Sequence, residues 1–247
     1  MHESRDGATA PGDGSLADRY RRYGHWKGWS AGAPGGAAAG ASYAAELEGI
    51  PLGGRDVLEI GFGRGDFLAW ARGQGARVVG LERDGSLVDR AREAGFDAYL
   101  ADIVDAPALN GRAFDLIVAI DVLEHVPVET ILGWFDRLPA LLRPGGHFLA
   151  RFPNGQSPLG RVFQHGDITH VTTLSPGIAR QLAAIAGLEL ARVGNSHRPR
   201  ADRAAWRLVQ WARDRMRDGA EIAFARLYGI ERIPLDPNVT VVWRMPP

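Results

Sequence analysis

Short, mostly apolar runs recur along this chain and are separated by apolar residues at helical spacing. Such runs are typical of parallel strands that are buried on both faces of a sheet. Strands that alternate with helices in this way predict an α/β fold with a doubly wound sheet. The four clearest runs are Val57–Ile60, Val78–Leu81, Phe114–Ile120 and His147–Phe152.

Three helices between these runs have recognisable patterns. Apolar residues at helical spacing follow the first run within Phe67–Ala71, and a second set lies within Ile131–Leu138. Pro139 should kink or end that second helix, because proline has no N–H to donate. The third helix has Ser175 as its N-cap, a proline directly after it, and Gly187 as its stop.

The first 52 residues have a different composition. Residues 1–15 contain little that could be buried, so we expect a disordered leader. Residues 16–52 include four aromatic residues between Tyr20 and Trp29, which form either a helix packed on the domain or a lid over a site. A short helix is predicted around Tyr43–Glu48, and the main domain is expected to span 53–247.

A helical insertion is predicted at about 198–232, between strands at Leu188–Val193 and Val239–Trp243. From Arg198 to Arg232 there are nine arginines and five acidic residues. The insertion could pack on the domain, form a homodimer face, or present a basic amphipathic surface to a membrane or an anionic substrate.

Composition excludes several classes of function. Lys27 is the only lysine, so the sequence lacks a phosphate-loop lysine, a Schiff-base lysine in the core and the Tyr-x-x-x-Lys pair of short-chain dehydrogenases. There is no cysteine, which excludes thiolate metal sites and thiol nucleophiles. The chain has 29 basic and 29 acidic residues, and this balance argues against a protein whose whole surface binds nucleic acid. We expect no transmembrane segment and a cytoplasmic location.

A glycine-rich turn follows the first predicted strand. Glu59 is followed by Gly61, Gly63 and Gly65, at a point where a strand should turn into a helix. Glycine there permits positive φ angles and lets a ligand approach the backbone. The dinucleotide fingerprint would need a third glycine at position 66, which is Asp66. The spacing resembles motif I of the class I S-adenosylmethionine-dependent methyltransferases.

Further motifs extend this resemblance over about residues 53–193. Glu82 ends the second strand, Asp102 and Ile103 follow a short third one, Asp121 follows the fourth, and Leu142–Gly146 matches the turn before the fifth. The resemblance implies a Rossmann-like, mostly parallel seven-stranded sheet that binds S-adenosylmethionine. It also implies cofactor contacts, with Glu82 at the ribose and Asp102 and Ile103 at the adenine. The implied cofactor residues are Glu59, Gly61, Gly63, Gly65, Glu82, Asp102, Ile103 and Asp121.

Residues that bind the acceptor should follow strands four and five, since ligands in such sheets bind beyond the carboxyl ends of the strands. His125 lies after strand four, and Asp167 and His170 lie in a polar loop after strand five. A neutral histidine can take a proton near pH 7, so His170 is the favoured base, with Asp167 orienting it and His125 as its competitor. Each of these residues could instead only shape the local structure.

Two further readings of the same residues stay open. His125, His165, Asp167 and His170 have the chemistry of a divalent-metal site, although we expect no metal to be required. The Pro-Asn and Gly-Asp-x-Thr-His pieces look like those of methyltransferases of glycan and secondary-metabolite biosynthesis. These resemblances imply an S-adenosylmethionine-dependent methyltransferase that methylates an oxygen, with nitrogen as the alternative atom, on a small-molecule or sugar-containing acceptor. The alternatives are a non-catalytic binding scaffold, a methyltransferase acting on a macromolecule and, least favoured, a nicotinamide-dependent oxidoreductase.

Overall fold

A computed structural model describes residues 37–198 and 203–247 of the chain. The expected leader and the aromatic segment between Tyr20 and Trp29 lie outside these residues. The strands are β1 (Asp56–Ile60), β2 (Arg77–Glu82), β3 (Asp97–Leu100), β4 (Phe114–Ile120), β5 (Leu142–Pro153), β6 (Glu189–Asn195) and β7 (Asn238–Arg244). The helices are α1 (Ala37–Glu46), α2 (Asp66–Gly73), α3 (Gly85–Glu93), α4 (Val128–Leu141), α5 (Gly160–Gln164), α6 (Pro176–Ala186) and α7 (Ala204–Tyr228).

The seven strands form one sheet in the order β3-β2-β1-β4-β5-β7-β6. All neighbouring strands are parallel except that β7 runs antiparallel to both β5 and β6. The predicted doubly wound, mostly parallel seven-stranded sheet is therefore confirmed. The chain winds outward from β1 to β3 and then returns to place β4 on the other side of β1. This reversal puts a crevice beyond the carboxyl ends of β1 and β4, where such sheets bind ligands.

Helices cover both faces of the sheet. On one face Trp243 is fully buried between the sheet and α6, and its indole Nε1 donates a hydrogen bond to the Ala179 carbonyl at 2.9 Å. Phe148 stacks on Trp243 with ring centroids 5.1 Å apart. On the other face Tyr43 of α1 packs edge-on against Phe67 of α2, at 5.2 Å between centroids. The core thus fixes both the central strands and the two helices nearest the crevice.

Two local features differ from expectation. Pro139 does not end α4, which continues for two more residues to Leu141. Pro139 cannot donate a backbone hydrogen bond in the last turn, but Leu138 and Leu141 on either side of it are buried in the core. The expected turn at Leu142–Gly146 forms the irregular beginning of β5, where Gly145 has φ 74° and the pairing with β4 shifts in register.

Ser175 caps α6 through a hydrogen bond from the Ile178 N–H, and Gly187 ends it with φ 66°. Both predicted helix signals are thereby confirmed. The short helix expected around Tyr43–Glu48 begins earlier, at Ala37.

The predicted insertion contains one long helix, α7. Its acidic residues face the rest of the chain: Asp214 pairs with Arg198 at 3.0 Å, and buried Glu221 pairs with Arg232 at 2.7 Å. Several large apolar side chains of α7 are exposed, including Trp206 and Leu227. Among the described residues, no helix has both the length and the apolar character that a membrane span requires.

Candidate functional site

The glycine turn lies between β1 and α2, at the carboxyl edge of the sheet. Gly61, Gly63 and Gly65 have φ angles of 69°, 54° and 79°, which are left-handed conformations that favour glycine. A Cβ on Gly61 would come within 2.7 Å of the Val122 side chain. Among the residues that the structure describes, no atom lies within 4 Å of a Cβ placed on Gly63, so these residues leave space beside the backbone there. The turn therefore has the conformation and the room that a closely bound ligand needs.

Glu82 connects the ends of β1 and β2. Its Oε2 accepts the N–H of Gly63 at 2.9 Å, and its Oε1 accepts the N–H groups of Arg83 at 2.7 Å and Asp84 at 3.3 Å. Burial raises the pKa of Glu82, and these three hydrogen bonds oppose the rise. Two carboxylate oxygens offer about four acceptor sites, so capacity for a further donor remains.

Glu59 lies beneath the turn and is buried. Burial raises its pKa well above the usual range, and the nearby charge of Glu82 adds to the rise. The Glu59 Oε2 atom accepts no hydrogen bond from any residue that the structure describes. A buried polar atom of this kind is rare unless a ligand or water completes its bonding. Glu59 is thus placed to accept a hydrogen bond from a bound group.

Asp102 and Ile103 follow β3, at the outer side of the same edge. The Asp102 Oδ1 atom accepts the indole Nε1–H of Trp134 at 2.8 Å and the N–H of Val104 at 3.2 Å. The Ile103 side chain is fully buried in the core, and this burial holds the backbone next to Asp102 in place. Trp134 thus holds a carboxylate in place where the sequence predicts the adenine contact.

Asp121 lies at the end of β4 in a left-handed conformation, with φ 56°. Its carboxylate is held by two hydrogen bonds from Arg151 of β5, at 2.9 and 2.5 Å. Arg151 also pairs with buried Glu46 of α1 at 3.1 Å. Asp121 therefore belongs to an ion-pair chain that ties α1 to the crevice.

Tyr43 of α1 lies within this electrostatic environment and was not predicted as a site residue. Burial raises its pKa to about 12, with additional effects from the negative charges of Glu59 and Asp66. Glu46 was missed as well. No motif marks either residue, and the sequence offered only the predicted short helix that carries them.

Three side chains meet just beyond β4, and we call Glu124, His125 and His170 the histidine cluster. Each offers one oxygen or nitrogen, and these atoms lie within 4.8 Å of one another. The two imidazole rings are 4.6 Å apart between centroids, and His170 Nε2 lies 3.9 Å from Glu124 Oε1. The fold thus brings together the two histidines that the sequence placed after different strands. It adds Glu124, which was not predicted.

Asp167 supports the cluster mainly through Thr169. Its Oδ1 accepts the Thr169 hydroxyl at 2.6 Å and the Thr169 N–H at 3.0 Å, while its Oδ2 lies 3.9 Å from His170 Nε2. The single hydroxyl proton of Thr169 is thereby committed to Asp167. The contact between Thr169 Oγ1 and His125 Nδ1 at 2.9 Å then requires Nδ1 to be the donor. In the neutral ring this tautomer leaves Nε2 as the basic nitrogen.

The remaining loop residues have structural roles. Asn154 is fully buried, and its amide Nδ2 donates to the carbonyl of Pro234 at 2.7 Å. The Ser157 hydroxyl donates to the Leu235 carbonyl at 2.5 Å, so hydrogen bonds connect the loop after β5 to the segment before β7. His165 is exposed and does not belong to the histidine cluster, in contrast to the four-residue metal set weighed from the sequence.

Comparison with known proteins agrees with this geometry. Residues 37–205 match the family model described as a methyltransferase domain. The ubiquinone biosynthesis O-methyltransferase of Methylobacterium sp. (strain 4-46) is 33% identical over 105 residues, which cover 40% of this chain and 41% of that protein. The tRNA (carboxymethyluridine(34)-5-O)-methyltransferase ALKBH8 of Macaca fascicularis is 33% identical over 104 residues, 42% of this chain and 15% of that protein. The matched stretches are thus less than half the length of these curated relatives.

The fold is also shared with solved structures. An S-adenosylmethionine-dependent methyltransferase from Archaeoglobus fulgidus superposes with a TM-score of 0.59 and 16% identity, over 85% of this chain and 95% of that one. This likeness concerns the fold, whereas the family model covers most of the described sequence. The chain therefore belongs to the methyltransferase-domain family and has the fold of the class I S-adenosylmethionine-dependent methyltransferases.

Proposed function

We propose that the protein binds S-adenosylmethionine across the carboxyl edge of the sheet and transfers its methyl group to an oxygen of a small-molecule or sugar-containing acceptor. S-adenosylmethionine supplies a methyl group on a sulfonium ion, together with an amino acid end, a ribose and an adenine. The chain supplies acceptors at Glu59 and Glu82, a glycine backbone with open space at Gly63, and a held carboxylate at Asp102. This set of donors and acceptors fits such a cofactor.

The individual assignments follow the strand ends. Glu82 would accept from the ribose hydroxyls, and Asp102 and Ile103 would adjoin the adenine. Glu59, Gly61, Gly63 and Gly65 would hold the amino acid end. Asp121 would contribute through the ion-pair chain with Arg151 and Glu46. No described residue donates a hydrogen bond to the Oε2 of buried Glu59, and this observation best supports a resident ligand.

The histidine cluster is the observation that supports methylation of an oxygen. A hydroxyl is a poor nucleophile near neutral pH, and removal of its proton is worth on the order of 10² to 10⁴ in rate. His125 and His170 lie beyond β4, next to the strand that bears the glycine turn, so an acceptor bound there would face the cofactor. The ubiquinone biosynthesis O-methyltransferase among the relatives supports an oxygen acceptor.

A screen for S-adenosylhomocysteine release tests this proposal. The full chain is incubated with S-adenosylmethionine and with sugar nucleotides, glycosides or phenols, alongside His170→Ala and His165→Ala variants. Product release by the wild type and His165→Ala, but not by His170→Ala, would support the proposal.

The relative that acts on tRNA motivates a parallel incubation with RNA. Release with tRNA alone would favour a macromolecular acceptor. Cofactor binding without release for any acceptor tested would favour the scaffold alternative.

A further inference from the structure

The geometry points to a divalent-cation site in the histidine cluster, formed by Glu124, His125 and His170. The cation it would take is a first-row transition metal such as Mn²⁺, Fe²⁺, Co²⁺ or Zn²⁺. What the ion does for catalysis rests on the proposed function, whereas binding of the ion rests on the cluster alone.

The ligand set has the right chemistry for such an ion. One carboxylate oxygen and two imidazole nitrogens suit first-row transition metals, in contrast to the all-oxygen sets of Mg²⁺ and Ca²⁺. The three ligand atoms lie within 4.8 Å of one another. Ligands about 2.0 to 2.2 Å from one ion are separated by roughly 3 to 3.5 Å, so the widest ligand separation would contract by roughly 1.3 to 1.8 Å when an ion binds.

Burial favours ion binding at this place. Glu124 is only 2% exposed, and the His170 side chain is 8% exposed. Coulomb attraction between a cation and a carboxylate is strong in such a shielded environment. The two segments that carry the ligands are also fixed together, because the Glu124 carbonyl accepts the N–H groups of Val171 at 2.8 Å and Thr172 at 3.1 Å.

The surrounding hydrogen bonds orient His125 as a ligand. Metal-bound histidines usually donate their second ring N–H to a carbonyl, carboxylate or hydroxyl group, which fixes the tautomer. Here His125 Nδ1 contacts the Thr169 hydroxyl at 2.9 Å and the Thr169 carbonyl at 3.3 Å. Asp167 in turn holds the Thr169 hydroxyl at 2.6 Å. The Gly-Asp-x-Thr-His sequence thus supplies both a ligand and the support for another.

Three protein ligands leave coordination positions for the acceptor oxygen. A bound cation lowers the pKa of a hydroxyl coordinated to it. The O–H bond would break with its proton passing to water, and the electron pair kept by the oxygen would form a bond to the methyl carbon. The carbon–sulfur bond of S-adenosylmethionine would break at the same time, with its electron pair left on the sulfur of the leaving S-adenosylhomocysteine. Such an ion would make His125 and His170 ligands, so that neither would need to act as the base.

Titration with Co²⁺ tests the site without any assay of activity. The full chain is freed of metal with a chelator, and the visible absorption of bound Co²⁺ is recorded. We expect saturation at one equivalent, and weakening by at least about 100-fold in Glu124→Gln and in His170→Ala. Thr169→Val should weaken binding by about 10-fold, since it removes only a supporting contact. His165→Ala, an exposed histidine in the same loop, should bind as the wild type does.

Absence of bound Co²⁺ in the wild type, or binding that Glu124→Gln and His170→Ala leave unchanged, would overturn the inference. Circular dichroism verifies that each variant is folded. If Glu124→Gln does not fold, the Co²⁺ titration of His170→Ala serves as the test. S-adenosylhomocysteine binding is measured on the same samples. If the protein binds cofactor and turns over in the presence of chelator but binds no Co²⁺, the cation site is contradicted and the proposed function stands. If the protein binds Co²⁺ but not the cofactor, the cation site is supported and the proposed function is contradicted.

Discussion

Both oxygens of Glu82 accept backbone N–H groups, so this carboxylate supports the glycine turn in addition to facing the proposed ribose position. The hydrogen bond from Gly63 joins the ends of two strands through one side chain. Glu59 differs, since one of its oxygens accepts nothing from the described residues. Glu82 therefore supports the turn as well as the proposed ribose contact, whereas Glu59 keeps one oxygen that no described residue occupies for the proposed ligand.

Replacement of Glu82 tests the cofactor position. Glu82→Ala should weaken S-adenosylhomocysteine binding by about 1 to 3 kcal/mol, because donors on the cofactor and on the turn lose a charged acceptor. Isothermal titration calorimetry gives the dissociation constant. Glu93→Ala, an exposed acidic residue at the end of α3, is the matched control and should bind normally. An unchanged constant in Glu82→Ala would place the ribose elsewhere.

Replacement of His170 tests the acceptor side. His170→Ala should lower turnover by at least about 100-fold with cofactor affinity nearly unchanged, whether the residue is a base or a ligand. Asp167→Asn should cost less, because Asp167 acts mainly through Thr169. Steady-state kinetics and calorimetry on the same preparations separate the two effects. If His125→Ala abolishes turnover and His170→Ala does not, the two histidines exchange roles.

At the scale of elements, α7 is attached to the domain by acidic residues. The Glu221 carboxylate accepts Asn195 Nδ2 and the Leu235 N–H through one oxygen, and Arg232 through the other. Burial tends to raise the pKa of Glu221, but these hydrogen bonds outweigh it and the pKa is lowered. A lowered pKa means that the charged form stabilises the folded state above the usual glutamate pKa and that this stability is lost as the pH falls.

Glu221→Ala should therefore loosen α7. Partly buried donors on Asn195 and Leu235, together with the half-exposed guanidinium of Arg232, would lose their acceptor, at a cost of about 1 to 3 kcal/mol. Hydrogen exchange should become faster across Ala204–Tyr228, and the melting temperature should fall. Glu231→Ala removes an exposed ion pair with Arg180 and should change neither quantity. Equal protection of α7 in both variants would contradict an anchoring role for Glu221.

The sequence predicted elements better than it predicted their contacts. Ser175 and Gly187 act through local backbone bonds, so their pattern sufficed to place α6. Pro139 was expected to kink or end α4, but the sequence pattern around it did not show that Leu138 beside it is buried in the core. Motifs predicted Glu59 and Glu82 as site residues, because their positions follow from the ends of strands. Glu46, Tyr43 and Glu124 were missed, since only the packing of distant segments brings them to the crevice.

Across the whole molecule, the end of the sheet opposite the crevice is held by arginine–aspartate pairs. Arg143 at the start of β5 bridges Asp56 of β1 at 2.6 Å and Asp115 of β4 at 2.7 Å. Arg77 of β2 also pairs with Asp56 at 2.6 Å. One network thus links four strands at the end of the sheet opposite the crevice.

This network predicts a loss of stability in acid. The hydrogen bond from Arg77, together with Arg143, lowers the pKa of Asp56 to about 2, against a smaller opposing effect of burial. The stabilisation is fully present above about pH 4 and is lost as the pH falls through about 2. Urea unfolding between these values should show a weaker pH dependence in Asp56→Asn than in the wild type. Identical slopes would assign the acid sensitivity to other carboxylates.

Ligand choice by the intact protein is the most direct test of the account as a whole. Calorimetry of the full chain should show saturable one-site binding of S-adenosylhomocysteine and no heat of binding with NAD. The glycine spacing that ends in Asp66, and the acceptors Glu59 and Glu82, carry this expectation. Tight binding of NAD without any response to S-adenosylhomocysteine would contradict it.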